Sequence, residues 1–368
     1  MKILFYTPIN FQCRDVSSLI LELQKCGHHV ILLSQVAKGS LHDFLEEKSI
    51  STYCYTSTIR SESIRIISHV AHLIFFCWKH KVDVIFSHLE PTNLIAVLSQ
   101  YFIMSRVIIF RHHLDLARLS KFDTSLAYRL TYKMAQSIIT VSSRSKHYMS
   151  LVEKIDSQKI FHINLGYDFN LYPEVDKKIV DEIKARYKAD ILLIVLGRLD
   201  KFKRPEIAID VMEALVYQYG LNAKLIFLGT GDLHSQLKID VKNKALCNSV
   251  FFLGFVENVL DYLSAGDFLF HPSISESSSV AIKEAALVNL PVITCRNVGD
   301  FDEYLKDGIN SFTVNHDKAA AEAALVIFNH YKNRKKLQLM SFKLKEEILK
   351  RFSIENVLPQ YLKIISEA

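Results

Sequence analysis

The amino-acid sequence predicts an α/β fold with two domains, each built around a parallel β-sheet. Short β-branched runs alternate along the chain with longer stretches of helical spacing, which is the pattern of strand–helix–strand units. Several runs are continuously apolar, as in parallel strands that are buried on both faces. The chain has 368 residues. This is about twice the usual size of one hydrophobic core, so two domains are expected.

The predicted strands form one set in each half of the chain. The first set comprises residues 2–7, 29–34, 83–87, 107–111, 137–141 and 160–164. The second set comprises residues 191–196, 224–228, 249–253, 267–271 and 291–295. Helical spacing is clear between strands, for example at residues 16–26, 204–219 and 279–288. The sequence therefore predicts two Rossmann-like halves with ligands at the carboxyl ends of the strands.

The alternating pattern is interrupted at residues 166–190, where polar and charged residues and Pro173 replace the apolar runs. We place the domain junction here. The N-terminal domain then comprises residues 1–170 and the C-terminal domain residues 171–351.

The composition excludes several classes of protein. Hydrophobic residues make up 49% of the chain and charged residues 23%, which excludes a disordered or fibrous protein. The six cysteines have no CxxC or paired spacing, so neither a disulfide framework nor a zinc site is expected. The uncharged runs at 66–78 and 92–105 are shorter than the roughly 18–20 residues of a membrane span. The apolar run at 3–6 is too short for a signal peptide, so a cytoplasmic protein is expected.

The net charge of +6 lies in the first half of the chain. Residues 1–170 contain 19 Lys and Arg against 13 Asp and Glu, whereas residues 171–368 contain 26 of each. An anionic membrane, an acidic acceptor or a nucleic acid would complement a basic surface of this kind. The alternative interpretation is that the charge serves solubility alone.

The densest group of candidate functional residues lies between positions 270 and 284. A predicted strand ends at His271 and is followed by a turn with Glu276, and a predicted helix then contains Glu284. Between the two glutamates lie three serines, a residue type that favours helix N-termini, where free amides bind anions: Ser277, Ser278 and Ser279. Carboxylates accept hydrogen bonds from sugar or ribose hydroxyls. The alternative is that Glu276 balances the helix dipole and Glu284 lies at the surface.

Two further loops follow predicted strands. Arg198 and Lys203 come after the strand at 191–196, where an Arg fork and a compact Lys charge suit a diphosphate. Two solvated loop cations are the alternative. Gly229 and Gly231 follow the next strand, but the third position of the dinucleotide-binding pattern holds His234, so that fingerprint is incomplete.

Taken in chain order, these segments resemble the retaining glycosyltransferases of family 4, which have the GT-B fold. The segments are GRL followed by Lys203, the GTG loop, FLGFV at 252–256, HPSxxE-x7-E, PVI and EYLKDGINSF. Fainter similarities are GHHV at 27–30, IITVS at 138–142 and NLGYD at 164–168. The resemblance implies two Rossmann-like domains whose parallel sheets face a central cleft. It also implies that residues 352–368 form a last helix that packs back on the N-terminal domain.

The resemblance implies a role for each matching residue. Glu284 would hold the donor ribose, and Glu276 with the amides of the three serines would hold the transferred sugar. Arg198 and Lys203 would neutralise the leaving diphosphate, so neither a metal nor another cofactor is expected. The nucleotide site would also include Gly229, Gly231 and Val256.

A histidine of the N-terminal domain would contact the donor sugar. It falls on His112 or His113, and His112 is favoured because it comes first after the strand. Neighbouring side chains of an extended segment point to opposite sides, so only one of the two is expected at the site.

Three positions depart from the family pattern. The loop at 8–15 lacks the usual Gly-Gly pair, three serines replace the Gly-Phe-Gly that follows Glu276, and Arg204 replaces a glycine. The first two departures fall where the donor sugar and acceptor would bind. The identity of the sugar is therefore left open.

The resulting prediction is a transferase that moves a hexose from a nucleotide-diphosphate sugar, with UDP favoured, to a lipid-linked, lipopolysaccharide or capsule-type glycan. The apolar stretch at 60–81 has cations near both ends and predicts either contact with the inner face of the plasma membrane or a helix buried on the sheet. A nucleic-acid partner is not expected. The first alternative is a non-catalytic GT-B partner subunit of another glycosyltransferase, and a nicotinamide-dependent dehydrogenase is a distant third.

Overall fold

In the computed structural model the chain forms two compact units. The structure describes residues 1–112 and 122–367, without the side chains of residues 122–126. The first unit comprises Met1–Leu171 together with Arg351–Ala368, and the second comprises Tyr172–Lys350.

The first unit is built on a seven-stranded parallel sheet with the strand order β3-β2-β1-β4-β5-β6-β7. Its strands are β1 (Lys2–Thr7), β2 (His29–Ser34), β3 (Ser51–Cys54), β4 (Val84–His88), β5 (Arg106–Arg111), β6 (Ser137–Thr140) and β7 (Ile160–His162). Its helices include α1 (Arg14–Lys25), α2 (Ser40–Glu47), α3 (Glu62–His80), α4 (Thr92–Ser99), α5 (Phe122–Met134) and α6 (Ser143–Leu151).

The second unit is built on a six-stranded parallel sheet with the order β10-β9-β8-β11-β12-β13. Its strands are β8 (Ile191–Leu196), β9 (Ala223–Leu228), β10 (Val250–Gly254), β11 (Phe268–His271), β12 (Val292–Cys295) and β13 (Phe312–Val314). Its helices include α7 (Lys177–Tyr187), α8 (Glu206–Glu213), α9 (His234–Asn243), α10 (Val259–Ala265), α11 (Val280–Leu287), α12 (Phe301–Tyr304) and α13 (Ala319–His330). A further helix, α14 (Arg334–Phe352), reaches the end of the unit, and a π-helical turn at Ala214–Gln218 continues α8.

The alternation of side chains along the strands divides the core of the first unit between the two faces of its sheet. Ile3 and Phe5 of β1 pack on one face with α1, whereas Leu4 and Tyr6 pack on the other with α3 and α4. The last helix, α15 (Ile354–Ser366), contributes Tyr361 and other apolar residues to the α1 side of this core. The C-terminal segment is therefore an integral part of the first unit.

Each sheet has one point where the strand order reverses direction, between β1 and β4 in the first unit and between β8 and β11 in the second. The loops that follow the two strands at such a point diverge, and parallel α/β proteins bind ligands in the resulting crevice. In the second unit these are the loops after β8 and β11.

The predicted α/β class with parallel sheets is confirmed, and all eleven predicted strands are present within two residues at either end. Strands β3 and β13 were not predicted. Both are short and lie at the edges of their sheets, and β3 is mostly exposed with the polar sequence STYC, so neither has a continuous apolar run.

No helix in the described part of the chain combines the length and the apolar composition that crossing a bilayer requires.

Candidate functional site

The candidate site of the second unit lies in the loops after β8 and β11, whose strands pair directly. The first loop carries Arg198 and Lys203, and the second carries Glu276 and the three serines before it enters α11. Parallel pairing brings the carboxyl ends of the two strands to the same edge of the sheet. Residues separated by more than seventy positions in the sequence therefore meet here.

Glu276 is held by three hydrogen bonds that converge on its Oε1 atom. The donors are the Lys203 ammonium, His271 Nε2 at 2.9 Å and Ser273 Oγ at 2.8 Å. Burial opposes ionisation, but the contacts with His271 and Lys203 hold the pKa of Glu276 well below its usual range. Among the residues that the structure describes, Oε2 accepts no recorded hydrogen bond. An ionised carboxylate with one anchored oxygen suits the recognition of a ligand hydroxyl through the other.

His271 was not singled out from the sequence, although it ends β11 next to the predicted turn. Burial lowers its pKa, and the neighbouring Glu276 carboxylate acts in the opposite direction. Because the carboxylate can only accept, the hydrogen-bond network places the proton of the neutral imidazole on Nε2. His271 therefore orients Glu276.

The serine turn uses its hydroxyl groups internally. Ser278 Oγ donates to Asp300 Oδ2 at 2.6 Å and accepts from Lys283 Nζ at 2.8 Å, and Ser279 Oγ lies 3.3 Å from His271 Nε2. Ser279 is the N-cap residue of α11, as the serine preference for this position predicts, but its side chain makes no capping hydrogen bond. The hydroxyls of Ser278 and Ser279 are occupied by buried partners instead. What this turn can offer an anion is its backbone amides.

Asp300 and Lys283 were also not recognised in the sequence, and both are fully buried. Burial raises the pKa of Asp300 to about 6, against the opposing effects of the Lys283 charge and the Ser278 hydrogen bond. Asp300 Oδ1 has no hydrogen-bond partner among the described residues. The position of Asp300 after β12 was a signal for its place near the site, because it lies at the carboxyl edge of the sheet. Nothing in the sequence indicates its burial.

Arg198 and Lys203 occupy different environments in the loop after β8. The Arg198 side chain is 79% exposed and lies 3.3 Å from Asp200, whereas Lys203 is mostly buried against Glu276. Both cations are at the predicted edge of the sheet, but only Lys203 is fixed by a contact with another predicted site residue.

The glycines of the GTG loop allow a close backbone approach. Gly229 has a φ of 135°, and a Cβ atom there would lie 2.1 Å from the carbonyl oxygen of Gly197. A Cβ atom on Gly231 would lie 2.5 Å from that of Leu199. These two glycines therefore pack the loop after β9 against the loop that carries Arg198, which accounts for them without a ligand.

Arg204, one of the departures from the family pattern, has a φ of 50°, in the left-handed region that favours glycine. Its guanidinium group donates to the carbonyl oxygens of Pro272 and His316 at 2.9 and 3.3 Å and to Cys295 Sγ at 3.1 Å. The side chain thus links the end of β12 to the segments that follow β11 and β13.

The remaining predicted residues of the second unit are Glu284 and Val256. Glu284 lies on α11 and is only 8% exposed, so it is not a surface residue. Val256 lies half-buried in the loop between β10 and α10. The structure records no contact of either residue with Glu276.

In the first unit, His112 directly follows β5, while His113 lies outside the described residues. His112 Nε2 is 3.2 Å from Nδ1 of His88, which ends the neighbouring strand β4 and stacks on Phe110. Burial lowers the pKa of both imidazoles, and near His112 the carboxylates of Asp15 and Glu90 act in the opposite direction. Two neutral imidazoles in this contact require one nitrogen to donate and the other to accept, so His88 influences the tautomer of His112.

Comparison with known protein families gives two matches that together span most of the chain. The model for "Glycosyltransferase Family 4" matches residues 14–171, and the model for "Glycosyl transferases group 1" matches residues 176–341.

Named relatives are distant. The capsular polysaccharide biosynthesis glycosyltransferase CapH of Staphylococcus aureus is 26% identical over 282 residues, which cover 73% of this chain and 74% of CapH. A UDP-Gal:alpha-D-GlcNAc-diphosphoundecaprenol alpha-1,3-galactosyltransferase of Escherichia coli is 21% identical over 326 residues, which cover 86% of this chain and 83% of that enzyme. An uncharacterized glycosyltransferase of Methanocaldococcus jannaschii is 27% identical, but the match covers only 46% of this chain and 42% of that protein.

Solved structures share the fold over the full length of the chain. Anabaena HepE in complex with UDP-glucose has a TM-score of 0.84 and 20% sequence identity, and all of both chains is covered. The two parallel-sheet units described above are thus the two halves of a GT-B fold. The two family matches show that the chain belongs to glycosyltransferase family 4.

Proposed function

We propose that the protein is a retaining, metal-independent glycosyltransferase that moves a sugar from a UDP-sugar to a lipid-linked, lipopolysaccharide or capsule-type glycan. The observation that carries the proposal is the convergence of Lys203, His271 and Ser273 on Glu276, at the point where the strand order reverses. This gives an ionised, anchored carboxylate beside a cation and the start of α11.

Each side chain of the candidate site is assigned to one part of the donor: the ribose, the sugar or the diphosphate. Glu284 would accept hydrogen bonds from the ribose hydroxyls, and Oε2 of Glu276 would accept one from the transferred sugar. Arg198, Lys203 and the amides of the serine turn would balance the diphosphate charge, which grows as the sugar leaves. The resemblance to the family adds His112 as a donor-sugar contact.

The proposed reaction breaks the bond between the anomeric carbon and the diphosphate oxygen. A new bond from that carbon to an acceptor hydroxyl oxygen forms on the same face of the sugar. The departing phosphate oxygen takes the acceptor's proton, so neither glutamate serves as a general base. The charge balance on the leaving group comes from the protein's own cations and amides, which is the basis for proposing metal independence.

The chemistry of the relatives supports the choice of donor and acceptor. HepE binds UDP and UDP-glucose, CapH acts in capsular polysaccharide biosynthesis, and the E. coli relative is named for a diphosphoundecaprenol acceptor. These names support the proposal of a UDP-sugar as donor and a lipid-linked, lipopolysaccharide or capsule-type glycan as acceptor.

The proposal is tested by incubating the purified chain with UDP-sugars in excess EDTA, with and without glycan acceptors. We expect UDP release that EDTA leaves unchanged and a product whose anomeric configuration, measured by NMR, equals that of the donor. Inversion would contradict the retaining mechanism, and a loss that Mg²⁺ restores would contradict metal independence. Binding of no nucleotide and turnover of no donor would favour the non-catalytic partner subunit.

A further inference from the structure

Helix α3 carries a stripe of exposed apolar side chains along its outer face. Ile67 is 66% exposed and Trp78 is 64% exposed. With their neighbours at intervals of three and four residues they form what we call the α3 stripe: Ile64, Ile67, Ala71, Phe75 and Trp78. The spacing places all five on one side of the helix over a length of about 21 Å.

The opposite face of α3 is already buried. His69, Leu73, Phe76 and Cys77 are buried, and the last three belong to the core of the first unit. The sequence left open whether this stretch is a buried helix or a membrane contact, and the structure gives it one buried face and one exposed face. A helix that is apolar on both faces is normally covered on both. The α3 stripe is thus an apolar surface without a cover in the described chain.

The exposed apolar surface extends beyond the helix. The Trp78 indole donates from Nε1 to the carbonyl oxygen of Phe102 at 3.2 Å, which joins the end of α3 to the turn after α4. Tyr101, Phe102 and Met104 in that turn are strongly exposed. Contiguous exposed apolar patches of this kind mark surfaces that bind a partner or a membrane.

Cations accompany the stripe. Arg65 and Lys79 are exposed on α3 and, by helical spacing, lie along one flank of the stripe. Lys81 follows the helix and is also exposed. Glu62, at the start, is the one acidic residue of α3. The surface therefore combines aromatic and aliphatic side chains with an excess of positive charge.

We propose that the α3 stripe, together with the turn at 101–104, is a docking surface for a bilayer that contains anionic lipid. A helix with an apolar face and basic residues beside it lies in the plane of the membrane interface, and Trp and Tyr prefer the headgroup level. The flanking cations attract anionic lipid, whereas two copies of this basic surface would repel each other. The inference rests on the proposed function, because a lipid-linked acceptor must be met at a membrane.

The chain has a built-in reporter, since Trp78 is its one tryptophan. The full-length protein is titrated with phosphatidylcholine vesicles and with vesicles that also contain phosphatidylglycerol, while Trp78 fluorescence and co-sedimentation are measured. We expect a blue shift with the anionic vesicles, weaker binding to neutral vesicles and at high salt, and quenching by brominated acyl chains. No shift and no sedimentation at high lipid concentration would overturn the proposal.

Two surface variants test the apolar and the basic components separately. Ile67→Ser combined with Phe75→Ser keeps Trp78 and should weaken binding by at least about tenfold, because two exposed apolar side chains no longer enter the lipid. Arg65→Gln combined with Lys79→Gln should weaken binding to anionic vesicles by about fivefold per cation. The matched control is Leu339→Ser with Phe342→Ser, two exposed apolar residues on α14, which should bind as the unmodified protein does.

If the α3 stripe is covered by something other than a membrane, the same variants give different results. Unchanged vesicle binding by the Ile67 and Phe75 variant would place the membrane contact elsewhere and overturn the proposal. A dimer in solution that this variant abolishes, without vesicle binding, would show that a second copy covers the stripe. Because the vesicles contain no glycan and no donor is added, these outcomes are independent of whether UDP-sugar turnover succeeds.

Discussion

Glu276 and Glu284 are the same residue type eight positions apart, but the structure gives them different surroundings. Glu276 lies in the turn and is fixed by Lys203 and His271, while Glu284 is buried on the following helix. The sequence predicted that both glutamates and Lys203 lie at the edge of the sheet. That prediction came from the ends of the predicted strands and from the family resemblance. The sequence did not reveal His271, Ser273, Lys283 or Asp300. The first three bond to partners within five positions along the chain, but which way their side chains point depends on how the turn folds, and sequence pattern does not show that. Asp300 reaches Ser278 from the segment after β12.

The two glutamates should separate binding from turnover. Glu284→Gln should weaken UDP and the UDP-sugar alike, by roughly 10- to 150-fold, because a charge-assisted contact to a hydroxyl is lost. Glu276→Gln should leave UDP affinity nearly unchanged and lower the single-turnover rate, because the sugar contact strengthens as the anomeric bond breaks. UDP affinity by calorimetry and single-turnover rate measure the two effects.

The assignment of Glu284 to the ribose and Glu276 to the sugar can be contradicted by one pattern of results. If Glu276→Gln loses UDP affinity and Glu284→Gln does not, the two carboxylates have the reverse roles. Equal folded fractions of both variants are checked first by circular dichroism, because each glutamate is partly or fully buried.

Asp300 should give the stability of the second unit a pH dependence. Burial raises its pKa to about 6, whereas the pKa of an Asp in the unfolded chain is about 4. Between these values the native state binds more protons than the unfolded state, so stability falls as pH rises through this window and is level above it. The free energy of unfolding should fall by on the order of 2–3 kcal/mol across this window, and Asp300→Asn should remove that pH dependence. Urea unfolding at several pH values measures it.

A second variant checks the cause of the slope. Ser278 Oγ donates to the ionised carboxylate, so Ser278→Ala should raise the pKa of Asp300 further and extend the falling limb to higher pH. Parallel stability curves for the unmodified protein and Asp300→Asn would contradict the assignment, because other titrating groups are common to both.

At the scale of the elements, the strands that carry the cores were predictable and the edges were not. β1 and β8 are central, continuously apolar runs, and both have the predicted bounds. β3 and β13 lie at sheet edges, where pairing depends on a neighbouring strand more than on an apolar run. Edge strands are therefore the part of a parallel sheet that hydrophobic pattern alone does not predict.

Helix α3 illustrates a different limit of sequence pattern. Its apolar residues were recognised, but periodicity cannot distinguish an apolar face that packs on a sheet from one that faces outward. The structure resolves this by burying Leu73 and Phe76 and exposing Ile67 and Phe75. The site loop shows a similar limit. The sequence predicts a serine at the start of α11, but it does not show that the Ser278 and Ser279 hydroxyls contact Asp300 and His271.

At the scale of the whole molecule, the chain has two compact units, and its two halves differ in net charge. The excess of positive charge and the single tryptophan belong to the first half, whereas the anchored carboxylate belongs to the second unit. Chains with two compact units commonly unfold in more than one step, so one melting temperature does not describe them. Trp78 fluorescence follows the first unit, and calorimetry follows both.

UDP should therefore raise the calorimetric transition of the second unit more than the transition reported by Trp78. At a UDP concentration one hundred times the dissociation constant, binding adds about 2.7 kcal/mol of stability, which corresponds to a rise of roughly 5–10 °C for a unit of this size. Glu284→Gln, measured at the same UDP concentration, should reduce the rise because its affinity is lower, while Arg334→Gln on α14 is the control that keeps it. A UDP-dependent rise confined to the Trp78 transition would place the nucleotide on the first unit and contradict the assignment of the donor site to the loops after β8 and β11.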